Sequence, residues 1–215
     1  MIVPDNCIKP SDSDRLYGIE YVKLIESIKL KCFSNCDLSG YDKVFFSRGK
    51  LKHSRDIGEE SIVKFFKKAG YMIIYPERLP LVVQIGIMQQ CRFFASTEGS
   101  IAHLSLFCKP GTNVILINKA DYINSHQVMI NEFADLNVTY IEAHHSSLAN
   151  RRYPWWGPFY LYPSRFMFNF FGKTGFIHHF FRPDYWYYLL KYNNLTSKAK
   201  PIVNRIISCC RSFLH

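Results

Sequence analysis

From Asp42 onward, short runs of β-branched and aromatic residues alternate with stretches whose apolar residues recur every three to four positions. That alternation marks a parallel α/β sheet, whose strands are buried on both faces and joined by crossover helices. KVFFS at 43–47 predicts a first strand. Over 59–69, Ile62, Val63, Phe66 and Ala69 share one helical face, and Gly70 supplies the stop. YMIIY at 71–75 predicts a second strand, and Pro80 opens a helix with Leu81, Ile85 and Met88 on one stripe. RFFAS at 92–96 is the third strand, followed by the turn TEGS, a short apolar helix over 100–107, a KPG turn and a fourth strand, NVILIN, at 113–118. The predicted order is β-α-β-α-β-α-β.

Composition divides the chain. Of the 215 residues, 48% are hydrophobic and 20% charged, enough apolar surface for one or two domains with a real core and too much for a disordered chain. Residues 1–149 carry 17 basic and 16 acidic side chains, whereas 150–215 carry 10 basic residues and one acid, Asp184. The same tail holds Trp155, Trp156 and Trp186 and 19 of the 35 aromatics. This predicts three parts: an N-terminal remnant or linker at 1–42, a Rossmann-like domain at 43–149, and an aromatic, basic, mainly helical extension at 150–215.

The seven cysteines are odd in number and scattered, and the first residues lack a basic start and an apolar core, so the pattern predicts reduced thiols in the cytoplasm. Cys32 and Cys36 have no second pair to complete a zinc site, and no window reaches the roughly 18 apolar residues that span a bilayer.

Ligands of doubly wound sheets bind beyond the carboxyl ends of the strands, where helix N-termini offer unpaired N–H groups. The loops to examine are 48–58, 76–80, 97–100 and 118–126. None contains a Walker A sequence or GxGxxG, which argues against a P-loop kinase and an ordinary dinucleotide dehydrogenase. In RGKLKHSRDIGE, Arg48 leaves a strand and Arg55 precedes a helix, a placement suited to a diphosphate; the alternative is a solvated basic loop. In TEGS, Gly99 permits close approach of a ligand and Ser100 opens a helix, or the glycine serves only the turn. Glu98 is placed to bind a sugar hydroxyl, act as a base or cap the helix. Glu77 and Gln84 stand equally between binding a ribose and bracing a loop. His144 and His145 diverge as neighbours, which disfavours a metal pair, and Asp12-Ser13-Asp14 lies in a polar stretch outside the α/β unit, so no metal site is expected.

Taken together, the segment 43–118 resembles the C-terminal part of the family 61 glycosyltransferases, a group that includes bacterial capsular polysaccharide biosynthesis proteins. Ser47-Arg48, Arg55 and Glu59, Gly70-Tyr71, Pro76-Glu77, Gln84, Gly99-Ser100 and Pro110-Gly111 match the family pattern in order and spacing. Gly58 stands where the family usually has Asn, Glu98 where it has His, and Leu104 where it has Asn. The resemblance implies a GT-B arrangement, with a nucleotide-sugar held by the Rossmann-like half through Arg48, Arg55, Glu59, Glu77, Gln84, Gly99 and Ser100. It also implies inverting, metal-independent sugar transfer with no cofactor beyond the donor itself, and Glu98 is the candidate base. About 40 residues precede Ser47, which implies a short form, a fragment, or a second protein that completes the acceptor side.

The tail adds a location. Trp155, Trp156 and Trp186, with Arg205 and Arg211 opposite an apolar stripe of Ile202, Val203, Ile206, Ile207, Phe213 and Leu214, suit a helix lying on an anionic membrane surface; packing on the α/β domain is the alternative. The expected protein is a peripheral glycosyltransferase at the inner membrane face, acting on a polysaccharide or lipid-linked acceptor. A non-catalytic membrane partner with the same fold is the second reading. A nucleic-acid module ranks last, because the aromatic runs are rich in Phe and Leu and poor in Lys.

Overall fold

The computed structural model describes residues 18–33, 40–51, 54–144, 157–173 and 182–192. Trp155, Trp156, Arg205, Arg211, the 201–214 stripe and Asp12-Ser13-Asp14 lie outside them.

A parallel five-stranded sheet forms the centre. Its strands are β1 (Lys43–Phe46), β3 (Met72–Ile74), β4 (Phe93–Thr97), β5 (Asn113–Asn118) and β6 (Asn137–Glu142), in the spatial order β3-β1-β4-β5-β6. Val44 is in register with Met72 on one side and Phe94 on the other, and Phe94 with Val114. The four expected strands are present, and β6 is a fifth.

Alternate side chains leave the two faces of this sheet. Phe45, Ala95, Ile115 and Ile117 meet Ile62, Phe65 and Phe66 of α2 (Glu59–Lys68) on one face. Val44, Phe46, Phe94 and Leu116 meet Ile87 and Met88 of α3 (Leu81–Gln90) on the other. The stripe expected on α3 differs from the one found: Leu81 is exposed, and Ile85, Gly86, Ile87, Met88 and Gln89 are buried. The reason is a second neighbour. α1 (Ile19–Phe33) packs on α3 with Ile25 and Cys32 buried, and Gln89 Nε2 donates to Lys29 O, so α3 is covered on two sides. Residues 19–33 are therefore a packed helix within the stretch expected to be a remnant or linker. The short helix after β4 is a 3-10 helix over Ala102–Phe107, and α4 (Ser125–Phe133), capped by the Asn124 side chain, packs on it.

The aromatic tail re-enters the core. β7 (Phe159–Tyr160) pairs in parallel with the two-residue strand β2 (Asp56–Ile57). Phe159, Leu161 and Met167 join the α2 face of the core, and α5 (Arg165–Phe170) packs against β6. Tyr160 is buried against Tyr185 and Tyr188 of α6 (Pro183–Tyr192), and Tyr188 Oη donates to Pro158 O. Trp186 is half-buried at the edge of that cluster, 5.4 Å from the Tyr185 ring. The change of composition near Asn150 is thus not a packing boundary for the described residues. Among them, no helix is long and apolar enough to cross a membrane.

One glycine sets the closeness of β7. Gly58 has φ +89°, and a Cβ there would lie 2.1 Å from Leu161 O. Gly70 has φ +84° with nothing within 4 Å of the same point. Gly70→Ala therefore carries only left-handed strain, about 1–2 kcal/mol. Gly58→Ala must also push away a backbone carbonyl, and the expected loss is about 3 kcal/mol or more. Urea denaturation of the two variants checks this; equal losses would show that β7 yields freely.

Candidate functional site

The exits of β1, β4 and β5 form a cleft of about 420 Å³ at the carboxyl end of the sheet. β1 continues through the α2 face to β3, whereas β4 continues through the opposite face to β5. Neighbouring chains that part in this way leave a crevice between them, the switch point at which doubly wound sheets bind ligands.

The first wall is Arg48. As β1 ends, Ser47 N donates to Ile74 O, Gly49 N donates to Ser47 Oγ, and Arg48 N donates to Glu59 Oε1 at 3.0 Å. Glu59 stands in the first turn of α2, 2% exposed, and does not line the cleft. It fixes the peptide from which Arg48 projects. Burial pushes its carboxyl up to about 7, and the nearby Asp56 adds to the rise; the Arg48 N–H, Ser47 and Lys119 act against it. Its Oε2 is buried without a partner.

The second wall is the turn after β4. Glu98 N donates to Ile117 O, and Glu98 Oε1 accepts from Asn124 N at 2.8 Å, which ties this turn to the segment before α4. Glu98 is 5% exposed, and burial raises its pKa against the opposing effects of the Asn124 N–H, Lys119 and His144. Gly99 and Ser100 complete the turn on the cleft surface.

Lys119, at the exit of β5, and Asp56, on β2, close the remaining side. Lys119 Nζ is 3.2 Å from both Asp56 oxygens and 4.7 Å from the centre of the Phe159 ring. Ser54, Arg55, Tyr122 and Asn124 form the rim. Beyond it, His144 Nε2 lies 2.7 Å from Asp121 Oδ1. Among the described residues, no group of three His, Cys, Asp or Glu side chains could hold a metal.

Of the residues expected from the sequence, Arg48, Arg55, Glu98, Gly99 and Ser100 therefore meet in one cleft. Glu77 and Gln84 do not line it. Glu77 is exposed after β3, and Gln84 Nε2 donates to Pro76 O and Leu79 O, bracing that loop. Asp56, Lys119 and Phe159 were not anticipated. The first two lie in loops that fold class alone marks for attention, but 63 residues separate them, and Phe159 reaches Asp56 through the β2–β7 ladder.

The family model described as Glycosyltransferase 61 matches residues 5–115, just over half of the chain. Among curated proteins, none matches it. The matched span contains Arg48, Arg55, Asp56, Glu98, Gly99 and Ser100, while Lys119 and Phe159 lie beyond it. At Gly58, where that family usually has Asn, the left-handed backbone would suit Asn, but Leu161 O occupies the place of its Cβ.

Glu59 gives the site a pH signature. Its native pKa of about 7 exceeds the ordinary value of 4.5, so the folded chain holds a proton there that the unfolded chain has released. Stability from this group is full below about pH 4.5 and is lost as pH rises through 7, a total of about 3 kcal/mol. Glu59→Gln keeps the acceptor for Arg48 N–H and removes the charge. Urea denaturation between pH 5 and 8 should show a falling profile for the native chain and a flatter one for Glu59→Gln, which is the more stable of the two at pH 8. Parallel profiles would assign the slope to another group.

Proposed function

The chain belongs to glycosyltransferase family 61, and on that premise we propose that its cleft holds the diphosphate of a nucleotide-sugar, from which the sugar passes to an acceptor hydroxyl. The observation that carries this reading is the meeting of Arg48, Arg55 and the Gly99 turn at the sheet's switch point. Glycine gives the backbone close access to a phosphate, and the guanidinium groups suit paired contacts to its oxygens.

In this reading the transfer inverts the anomeric centre. The acceptor oxygen attacks the anomeric carbon from the side opposite the diphosphate and gives up its proton to a base. The bond from that carbon to the diphosphate oxygen breaks, and the electron pair stays on the phosphate, where Arg48 and Arg55 stabilise it. The cations of the chain itself do this work, with no metal and no cofactor. Glu98 is the base in this scheme: burial makes its carboxylate more basic than usual, and the Asn124 N–H fixes its orientation.

The acceptor that fits is a growing surface polysaccharide of the capsular type or a lipid-linked sugar. A GT-B partner half, in this chain or in a second protein, presents it. The basic aromatic tail would hold the enzyme at the inner membrane face, so that enzyme and acceptor share one surface.

Two experiments test the site. Arg48→Ala and Arg55→Ala should each weaken nucleotide-sugar binding by about 1.5–3 kcal/mol, the scale of a hydrogen bond to a charged group, with the fold retained. Calorimetry with UDP, GDP and CMP sugars measures it, and unchanged affinity in both variants would remove the arginines from the donor site. Glu98→Gln should lower turnover by about 10² or more with little change in melting temperature. If instead stability falls and activity per folded molecule persists, Glu98 is a brace for the Asn124 segment.

A further inference from the structure

On one side of the cleft lies a charge pair that sequence pattern and family match leave unassigned. The Lys119 and Asp56 side chains are 10% and 5% exposed, and the ammonium is 3.2 Å from both carboxylate oxygens. The ammonium is within hydrogen-bond distance of both oxygens, so in the empty cleft the two buried charges satisfy one another. Lys119 Nζ also stands 3.5 Å from the point where a Cβ on Gly99 would lie, and Arg48 Nη1 stands 4.0 Å from the same point. Gly99 has φ +121°, a conformation that side chains rarely accept, so the space between the two cations stays open. Cations from the ends of β1 and β5 thus converge on one void at the end of β4.

We propose that this void is the seat of the donor's diphosphate, that Lys119 binds it together with Arg48, and that Asp56 is the counter-ion the diphosphate displaces. The inference rests on the reading of the cleft as a nucleotide-sugar site and assigns its central contact. Without a ligand, Asp56 keeps a desolvated ammonium from standing unpaired, and the Phe159 ring supports it from the side. A diphosphate brings more charge than one carboxylate and outcompetes it for Lys119. The groups facing the void are Arg48, Asp56, Glu98 and Lys119, with Arg55 at the rim.

Inorganic pyrophosphate and UDP are the probes, titrated by calorimetry into the full chain and its Lys119→Met, Asp56→Asn and doubly substituted forms, with folding followed by circular dichroism. Lys119→Met should weaken pyrophosphate binding about tenfold or more. Asp56→Asn should bind it at least as tightly as the native chain, because the competing carboxylate is gone. The double variant removes both charges, so no carboxylate is left buried alone; it should stay folded and bind as weakly as Lys119→Met. Unchanged affinity in the folded double variant, or a loss in Asp56→Asn as large as in Lys119→Met, overturns the proposal. If the native chain binds UDP and only the Lys119 effect is missing, this assignment alone fails. If the native chain binds neither probe, the nucleotide-sugar reading fails with it.

Discussion

The parting of β1 and β4 governs this molecule. They are adjacent, parallel and in register, yet one hands its chain to the α2 face and the other to the opposite face. Their connections part to opposite faces, so the polar ends of the two strands border a crevice. The buried runs KVFF and FFAST enforce this, because strands without a polar face require cover on both sides.

Carboxylates hold that crevice in shape. Glu59 takes the N–H of Arg48, Glu98 takes the N–H of Asn124, and Asp56 takes the ammonium of Lys119. Each joins the exit of one element to another and is largely withdrawn from water. Burying such groups is unfavourable unless they are bonded, so each removes alternative loop conformations as well as supplying a contact. The basic character of the cleft is the visible side of this arrangement, and the acids beneath it supply the order.

Four of the five sheet strands were legible because their β-branched and aromatic runs are continuous. β6 is an edge strand, exposed at Asn137, half-buried over Val138, Thr139 and Tyr140 and buried at Ile141, and its run is correspondingly weaker. α1 buries Ile25 and Cys32 while Ile19, Leu24 and Leu30 are exposed, so its core-facing stripe is faint. Arg48, Arg55, Glu98, Gly99 and Ser100 could be gathered from strand ends alone. Lys119 and Asp56 could not, because they stand 63 residues apart and no local period marks their meeting. The tail shows the limit of composition: Phe159, Tyr160, Leu161, Met167 and Tyr188 are interior, and a segment that packs on its own domain uses the same residues as one that packs on lipid.

The ladder between Asp56 and Phe159 also bears on how the molecule is made. It joins positions about 100 residues apart through only two residue pairs, whereas β1, β3, β4 and β5 all lie between 43 and 118. Closing so long a loop costs chain entropy that two pairs offset poorly until the sheet already stands. During synthesis the residues of the sheet are all joined before Phe159, and Lys119 then lacks the ring beside it. A nascent chain therefore carries the charged residues of the cleft before it carries the ladder, and the ring that stands beside Lys119 arrives with a segment made later.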